Sequence, residues 1–220
     1  VSTPRWPLTG STELRDDLLA AYSTPGRAYH DLRHLGEVLE RVEELRTAST
    51  APPGVHRLDR RVIDLALWFH DAVYDTDPGV EGEVKAVGAE ELSAQWAERA
   101  LPATVLGAEA VAEVARLVRL TATHDPQPHD LAGQLVCDAD LAILAAQPVR
   151  YGRYVADVRL EYRRLDDETF NAGRVRILRA LLARRRLFAT DHADQSWRQA
   201  AEQNIRAELA RLTAGAGQQP

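Results

Sequence analysis

Between Arg61 and Tyr74 the chain reads Val62-Ile63-Asp64-Leu65-Ala66-Leu67-Trp68-Phe69 and then, without a break, His70-Asp71. Wound as a helix, that run is apolar on nearly every side, so it belongs in the middle of a core. A buried helix should not carry His and Asp side by side unless something pairs them, because unpaired buried polar groups cost several kcal/mol. Whatever fold the chain adopts must therefore surround this helix and bring polar partners to its C-terminal end.

The flanking sequence predicts more helices. Ser11 or Thr12 caps one that runs to about Tyr22, with Leu14, Leu18 and Leu19 on one face. A second starts near Tyr29 or Asp31 and reaches about Leu45, with Leu35, Val38, Leu39 and Val42 at helical spacing. The apolar helix spans roughly Leu58 to Val73. Further helices are expected over Glu83–Arg99, Ala108–Thr121, Leu131–Ala146, Pro148–Leu165, Asn171–Arg185 and Ala193–Leu212. Period-two alternation is rare, and Ala, Leu, Arg and Glu dominate, all good helix formers. The expectation is one all-α domain, a helical bundle over residues 11–212, with flexible termini at 1–10 and 213–220.

Composition enters by exclusion. The 220 residues suffice for a sizeable core without staples. The single cysteine, Cys137, forbids an intrachain disulfide and a four-thiolate zinc site. It reads as a small buried hydrophobe and fits a reducing, cytoplasmic setting. A formal charge of -6 disfavours a nucleic-acid polymer as partner. No stretch approaches the ~20 apolar residues of a membrane span. The first ten residues do not have the pattern of a secretory leader. Lys85 is the only lysine, so a grip on phosphate falls to arginine. A homodimer is allowed, symmetric dimers being common, but no seam is visible.

Four short segments carry candidate chemistry. Tyr29-His30-Asp31-Leu32-Arg33-His34 places two histidines at i and i+4, which predicts that they share a helix face and point at one site. Phe69-His70-Asp71-Ala72-Val73-Tyr74-Asp75 follows the apolar helix. Thr123-His124-Asp125 ends another helix, and Cys137-Asp138-Ala139-Asp140-Leu141 precedes an apolar run. In order they offer imidazoles and carboxylates from separate helices. Such a mixed nitrogen and oxygen set suits manganese, iron, cobalt, nickel, zinc or, less well, magnesium.

The ordered pattern His, His-Asp, Asp on a helical chain resembles the signature of the HD-domain superfamily of metal-dependent phosphohydrolases, and within it a bacterial family of predicted members. The likeness also runs through Arg159-Leu160-Glu161-Tyr162 and Phe170-Asn171-Ala172-Gly173-Arg174, from about Tyr22 to Leu209. By that resemblance His34, His70, Asp71 and Asp140 would ligate a divalent metal ion. Asp138, Asp75 and Glu83 would stand behind them, orienting a ligand or a bound water. The first segment also resembles the Tyr-His-Asn-x-x-His motif of cyclic-nucleotide phosphodiesterases, which makes His30 a proton donor. Asp31 departs from the usual Asn, and Gly82 stands before Glu83 where Asn is usual; neither change removes a ligand.

What the resemblance implies is hydrolysis of a phosphate ester of a small molecule, a nucleotide by superfamily precedent, by a metal-activated water. His30, Asp71 and His124 are the candidate catalytic groups. Arg174, Arg159 and Arg163 are the candidate phosphate ligands, whereas Arg184-Arg185-Arg186 reads as a solvated run. His56, His129 and His192 read as background. Two other readings stay open: an HD-type di-iron oxygenase, with His124 as an added ligand, and a non-catalytic metal-binding interaction protein.

Overall fold

The computed structural model describes residues 4–48, 60–74, 88–101 and 106–215. Among these residues ten α-helices follow one another: α1 Thr12–Tyr22, α2 Leu32–Ala48, α3 Arg60–Phe69, α4 Ala89–Ala100, α5 Ala108–Leu120, α6 Leu131–Leu141, α7 Pro148–Glu161, α8 Asp167–Ala183, α9 Asp191–Ser196 and α10 Arg198–Gly215. A 3₁₀ turn, Ala142–Ala145, links α6 to α7. No strand occurs among the described residues, so the expected all-α class holds.

As its sequence requires, α3 is the central element. It packs against α2, α4, α5 and α6, and Leu65, Ala66, Leu67, Trp68 and Phe69 are fully buried. Each large side chain so buried contributes about 1.5–3 kcal/mol. One apolar cluster runs from Leu8 to Ile205. The segment before α1, expected to be loose, is in fact tied down from residue 5 onward. Trp68 Nε1 donates to Arg5 O at 3.2 Å, the Trp6 ring meets Trp68 edge-on at 5.0 Å, and Leu8 is buried.

Helix ends differ from expectation where polar side chains intervene. Asp31 begins α2 as its cap: Oδ1 accepts the N–H groups of Arg33 (2.9 Å) and His34 (3.2 Å), and Leu35 N–H donates to Asp31 O at 3.1 Å. Tyr29 and His30 thus precede the helix, and His30 does not share a helix face with His34. Phe69 ends α3, leaving His70 and Asp71 in the turn beyond it. The expected last helix is two, broken at Trp197, whose ring turns in against Phe188 at 5.5 Å.

A buried ionic node joins α7, α8 and α10. Glu208 accepts Arg174 Nε at 2.7 Å and Nη2 at 3.2 Å, and also accepts the Tyr151 hydroxyl. Removing one partner of such a pair strands the other charge out of water. Glu208→Ala is expected to lower stability by about 3–5 kcal/mol, measured as a shift of the urea midpoint at constant m-value.

Candidate metal centre

Three helix ends bring the donors together. His34 lies in the first turn of α2, His70 and Asp71 just beyond α3, and Asp140 in the last turn of α6. His34 Nε2 stands 3.0 Å from His70 Nε2, 3.4 Å from Asp71 Oδ2 and 3.3 Å from Asp140 Oδ1. His70 Nε2 stands 3.1 Å from Asp71 Oδ2 and 3.6 Å from Asp140 Oδ1. Both imidazoles are buried, at 2% and 1% exposure. His34, His70 and Asp71 form the tightest group, with ligand atoms all within 4.8 Å of one another. Asp140 adjoins both imidazoles.

Local sequence sets each donor. The Asp31 cap fixes the start of α2 and hence His34. His70 Nδ1 donates to Leu67 O at 2.7 Å, which aims Nε2 at the centre. Arg27 clips the two approaching loops together, donating to Asp71 O (2.6 Å), Ala72 O (2.8 Å) and His30 O (3.1 Å). The Tyr22 hydroxyl accepts the Asp71 N–H at 3.3 Å.

The spacing fits a cation. Donors about 2.1 Å from one ion stand roughly 3.0 Å apart at right angles and roughly 3.4 Å apart at tetrahedral angles. The five distances above, 3.0 to 3.6 Å, fall around these values. Electrostatics agree. Burial by itself raises the Asp71 and Asp140 pKa values, but His70 and the neighbouring imidazoles outweigh it and hold both carboxyls well below the usual range. Burial lowers the His34 and His70 values, yet contacts with Asp71 and Asp140 outweigh it, raising His34 and taking His70 well above the ordinary imidazole.

The other predicted residues divide. His30 reaches the site, with Nδ1 2.7 Å from Glu161 Oε2. Glu161 is the main residue the sequence left without a role. It is buried, its Oε1 accepts the N–H groups of Ala28, Tyr29 and His30 at 2.8, 2.8 and 2.9 Å, and Oε2 accepts the Tyr74 hydroxyl at 3.1 Å. An acid on the last turn of α7, far in sequence from any of these groups, gives no local signal of that contact. His124 also reaches the site: Nε2 is 2.7 Å from Asp140 Oδ2. Its backbone is left-handed (φ 49°), a conformation costing about 1–3 kcal/mol off glycine.

Four expectations need correction. Asp138 does not face the donors; its two oxygens accept Ala189 N–H and Thr190 N–H, both at 2.7 Å, and dock the chain before α9. Arg159 is engaged by Asp167, Tyr162 O and Leu165 O, closing the turn between α7 and α8. Arg163 donates weakly to Leu160 O at 3.5 Å and, like Arg159, does not line the cleft beside Asp71 and Asp140. Arg184 is no solvated charge: it donates to His124 O (2.9 Å) and Thr123 O (2.8 Å) and holds the His124 turn. Asp75, Glu83 and His56 lie outside the described residues. His129 is exposed, His192 stands 3.8 Å from Glu44, and Cys137 is buried, with its thiol pKa pushed up by that burial.

A cleft of about 540 Å³ opens onto the donors, with Asp71, Asp140, His30 and His124 at its floor and Tyr154, Phe170, Arg174 and Arg184 in its walls. A larger cavity, about 960 Å³, lies on the Asp138 side of α6; it borders His124 and Arg184 but none of the four donors. Comparison with known proteins finds no matching family model, no matching curated protein and no matching solved structure.

Metal affinity should depend on pH. The raised imidazole pKa values mean that an entering ion must displace at least one proton, so apparent affinity falls as pH falls. Titration with zinc or manganese should show about tenfold weaker binding per pH unit below the imidazole pKa; a pH-independent affinity would exclude these ligands.

Proposed function

We propose that the protein is a metal-dependent phosphohydrolase that cleaves the phosphate ester of a small molecule. The observation that carries the reading is the buried His34, His70 and Asp71 group, whose Asp71 lines an open cleft together with Asp140, His30 and His124. His34, His70 and Asp71 would hold a divalent ion, with Asp140 as a fourth donor. When bound, the ion supplies a Lewis acid and lowers the pKa of a water molecule.

The chain's own residues would do the rest. His30 is tethered through Nδ1 to Glu161, which leaves Nε2 to protonate the departing alkoxide. His124 has its Nε2 on Asp140, so it orients that carboxylate and stands second as a proton carrier. Arg174 lines the cleft, but its charge is answered by Glu208. Arg184 also lines it and is bonded to backbone carbonyls, so its positive charge is available to a phosphoryl group.

The walls suit a compact substrate with an apolar or ring-bearing body. Tyr154, Tyr162, Phe170 and Ile177 line the cleft, and aromatic faces accept a planar base. Together with the resemblance to HD phosphohydrolases, that supports a nucleotide or a similar phosphorylated small molecule. The net charge of -6 weighs against a polymer.

A panel of phosphate esters with added manganese, cobalt, nickel or magnesium should reveal turnover that chelator removes. His70→Ala and Asp71→Ala should each abolish it while helical content by circular dichroism stays near native. Activity retained in either variant would sink the proposal.

A further inference from the structure

Gly173 sits in the middle of α8 with no packing reason to be glycine. A glycine in a helix interior is destabilising relative to alanine. It is needed where a neighbour comes too close for a Cβ or where φ is positive. Neither holds here: an added Cβ would meet nothing within 4 Å, and Gly173 is not among the glycines of positive φ. What Gly173 does face is the cleft, whose wall it lines. Gly36 in α2 and Gly152 in α7 are as open but do not line the cleft.

The rest of that wall is apolar. Phe170, Gly173, Ile177, Ala180 and Leu181 follow at three- and four-residue steps along α8, on the face that lines the cleft. Ile177 is 50% exposed, a large hydrophobic side chain left against water. Phe170 is held from the side, with the Tyr162 ring centre at 6.0 Å and the Arg159 guanidinium carbon 4.9 Å from its own. The same wall offers little to a polar ring edge. Backbone groups inside a helix are engaged with one another, the Thr169 hydroxyl donates to Asp166 Oδ2 at 3.1 Å, and Arg174 Nε donates to Glu208 at 2.7 Å. A bare position among apolar side chains leaves room for a flat apolar body.

We propose that the gap at Gly173, between Phe170 and Ile177, seats the ring of the substrate and selects substrates by bulk, not by the polar pattern of the ring. The subsite rests on the phosphohydrolase reading. An apolar pocket separates substrates that differ by a small group only about 10–200-fold, whereas a site that hydrogen-bonds the differing group separates them about 10⁴–10⁵-fold. Rings of one size are therefore told apart weakly at this wall, and a side chain that fills the gap turns larger bodies away.

The test assays the manganese-loaded full chain with adenosine 5′-monophosphate and ribose 5-phosphate, which share the scissile bond and differ by the base. The native chain should favour the first by about tenfold or more in kcat/KM. That preference should fall in step through Gly173→Ala, Gly173→Leu and Gly173→Phe as the gap fills. Ile177→Ala, at an exposed position, removes contact from the same wall without crowding it and should lower the preference several-fold. Inosine 5′-monophosphate, with a carbonyl in place of the ring amine, should stay within about 200-fold of the adenosine ester; a wider separation overturns selection by bulk. A preference absent from the native chain, or kept in every variant that retains native manganese content and circular dichroism, overturns the subsite and leaves the phosphohydrolase reading standing. A native chain that hydrolyses no phosphate ester with manganese, cobalt, nickel or magnesium overturns both.

Discussion

Two imidazoles, nearly out of water, and two half-buried carboxylates lean on one another where α2, α3 and α6 converge. Groups of this kind are costly to bury singly and tolerable only as a set. Their neighbours serve that set. Leu67 O takes the outer nitrogen of His70, Arg27 donates to the carbonyls of the turn after α3, and Glu161 collects three amides of the loop that leads into α2. Each contact satisfies a backbone or ring atom that the convergence would otherwise leave without water.

This explains which features were legible in the sequence. The apolar run Val62–Phe69 had to be central, and its His-Asp ending had to find partners; both follow from burial alone. The order of His34, His70, Asp71 and Asp140 pointed to one site, and the structure brings these four side chains together. What the sequence obscured is direction. Asp138 and Asp140 lie two positions apart on a helix, about 200° around its axis, so they face opposite ways. One meets the imidazoles and the other docks the chain before α9. No composition rule says which. The roles of Glu161 and Arg184 were hidden for a related reason: each acts on backbone atoms far away in sequence, and nothing beside them in the chain marks that contact.

The arginines show the same limit from the other side. In a chain with a single lysine every basic role falls to arginine, so structural and functional arginines look alike in sequence. Arg159 binds carbonyls and Asp167 to close a turn, and Arg174 is matched by a buried glutamate. Arg184 donates to two carbonyls at the cleft wall, with no carboxylate partner among the described residues. A guanidinium that hydrogen-bonds a neutral carbonyl is fixed in place without being neutralised. A carboxylate partner would fix it and cancel its field.

The four candidate donors and His124 sit at helix ends. His34 is in a first turn, Asp140 in a last turn, and His70, Asp71 and His124 just beyond one. Ends are where backbone groups already lack helical partners, so a polar side chain placed there can satisfy its surroundings without interrupting a packed helix. The rigid helix then fixes the side chain's position, and the turn sets its direction. His124 marks the cost of that arrangement. Its backbone is left-handed, and it stays so between the Arg184 clasp on its carbonyl and the Asp140 bond to its ring. Relaxing the turn would move the imidazole off Asp140, whose other oxygen faces His34. The strain at His124 is therefore coupled to the position of a candidate metal donor, so the turn after α5, although none of the tightest donor group belongs to it, helps set the shape of the centre.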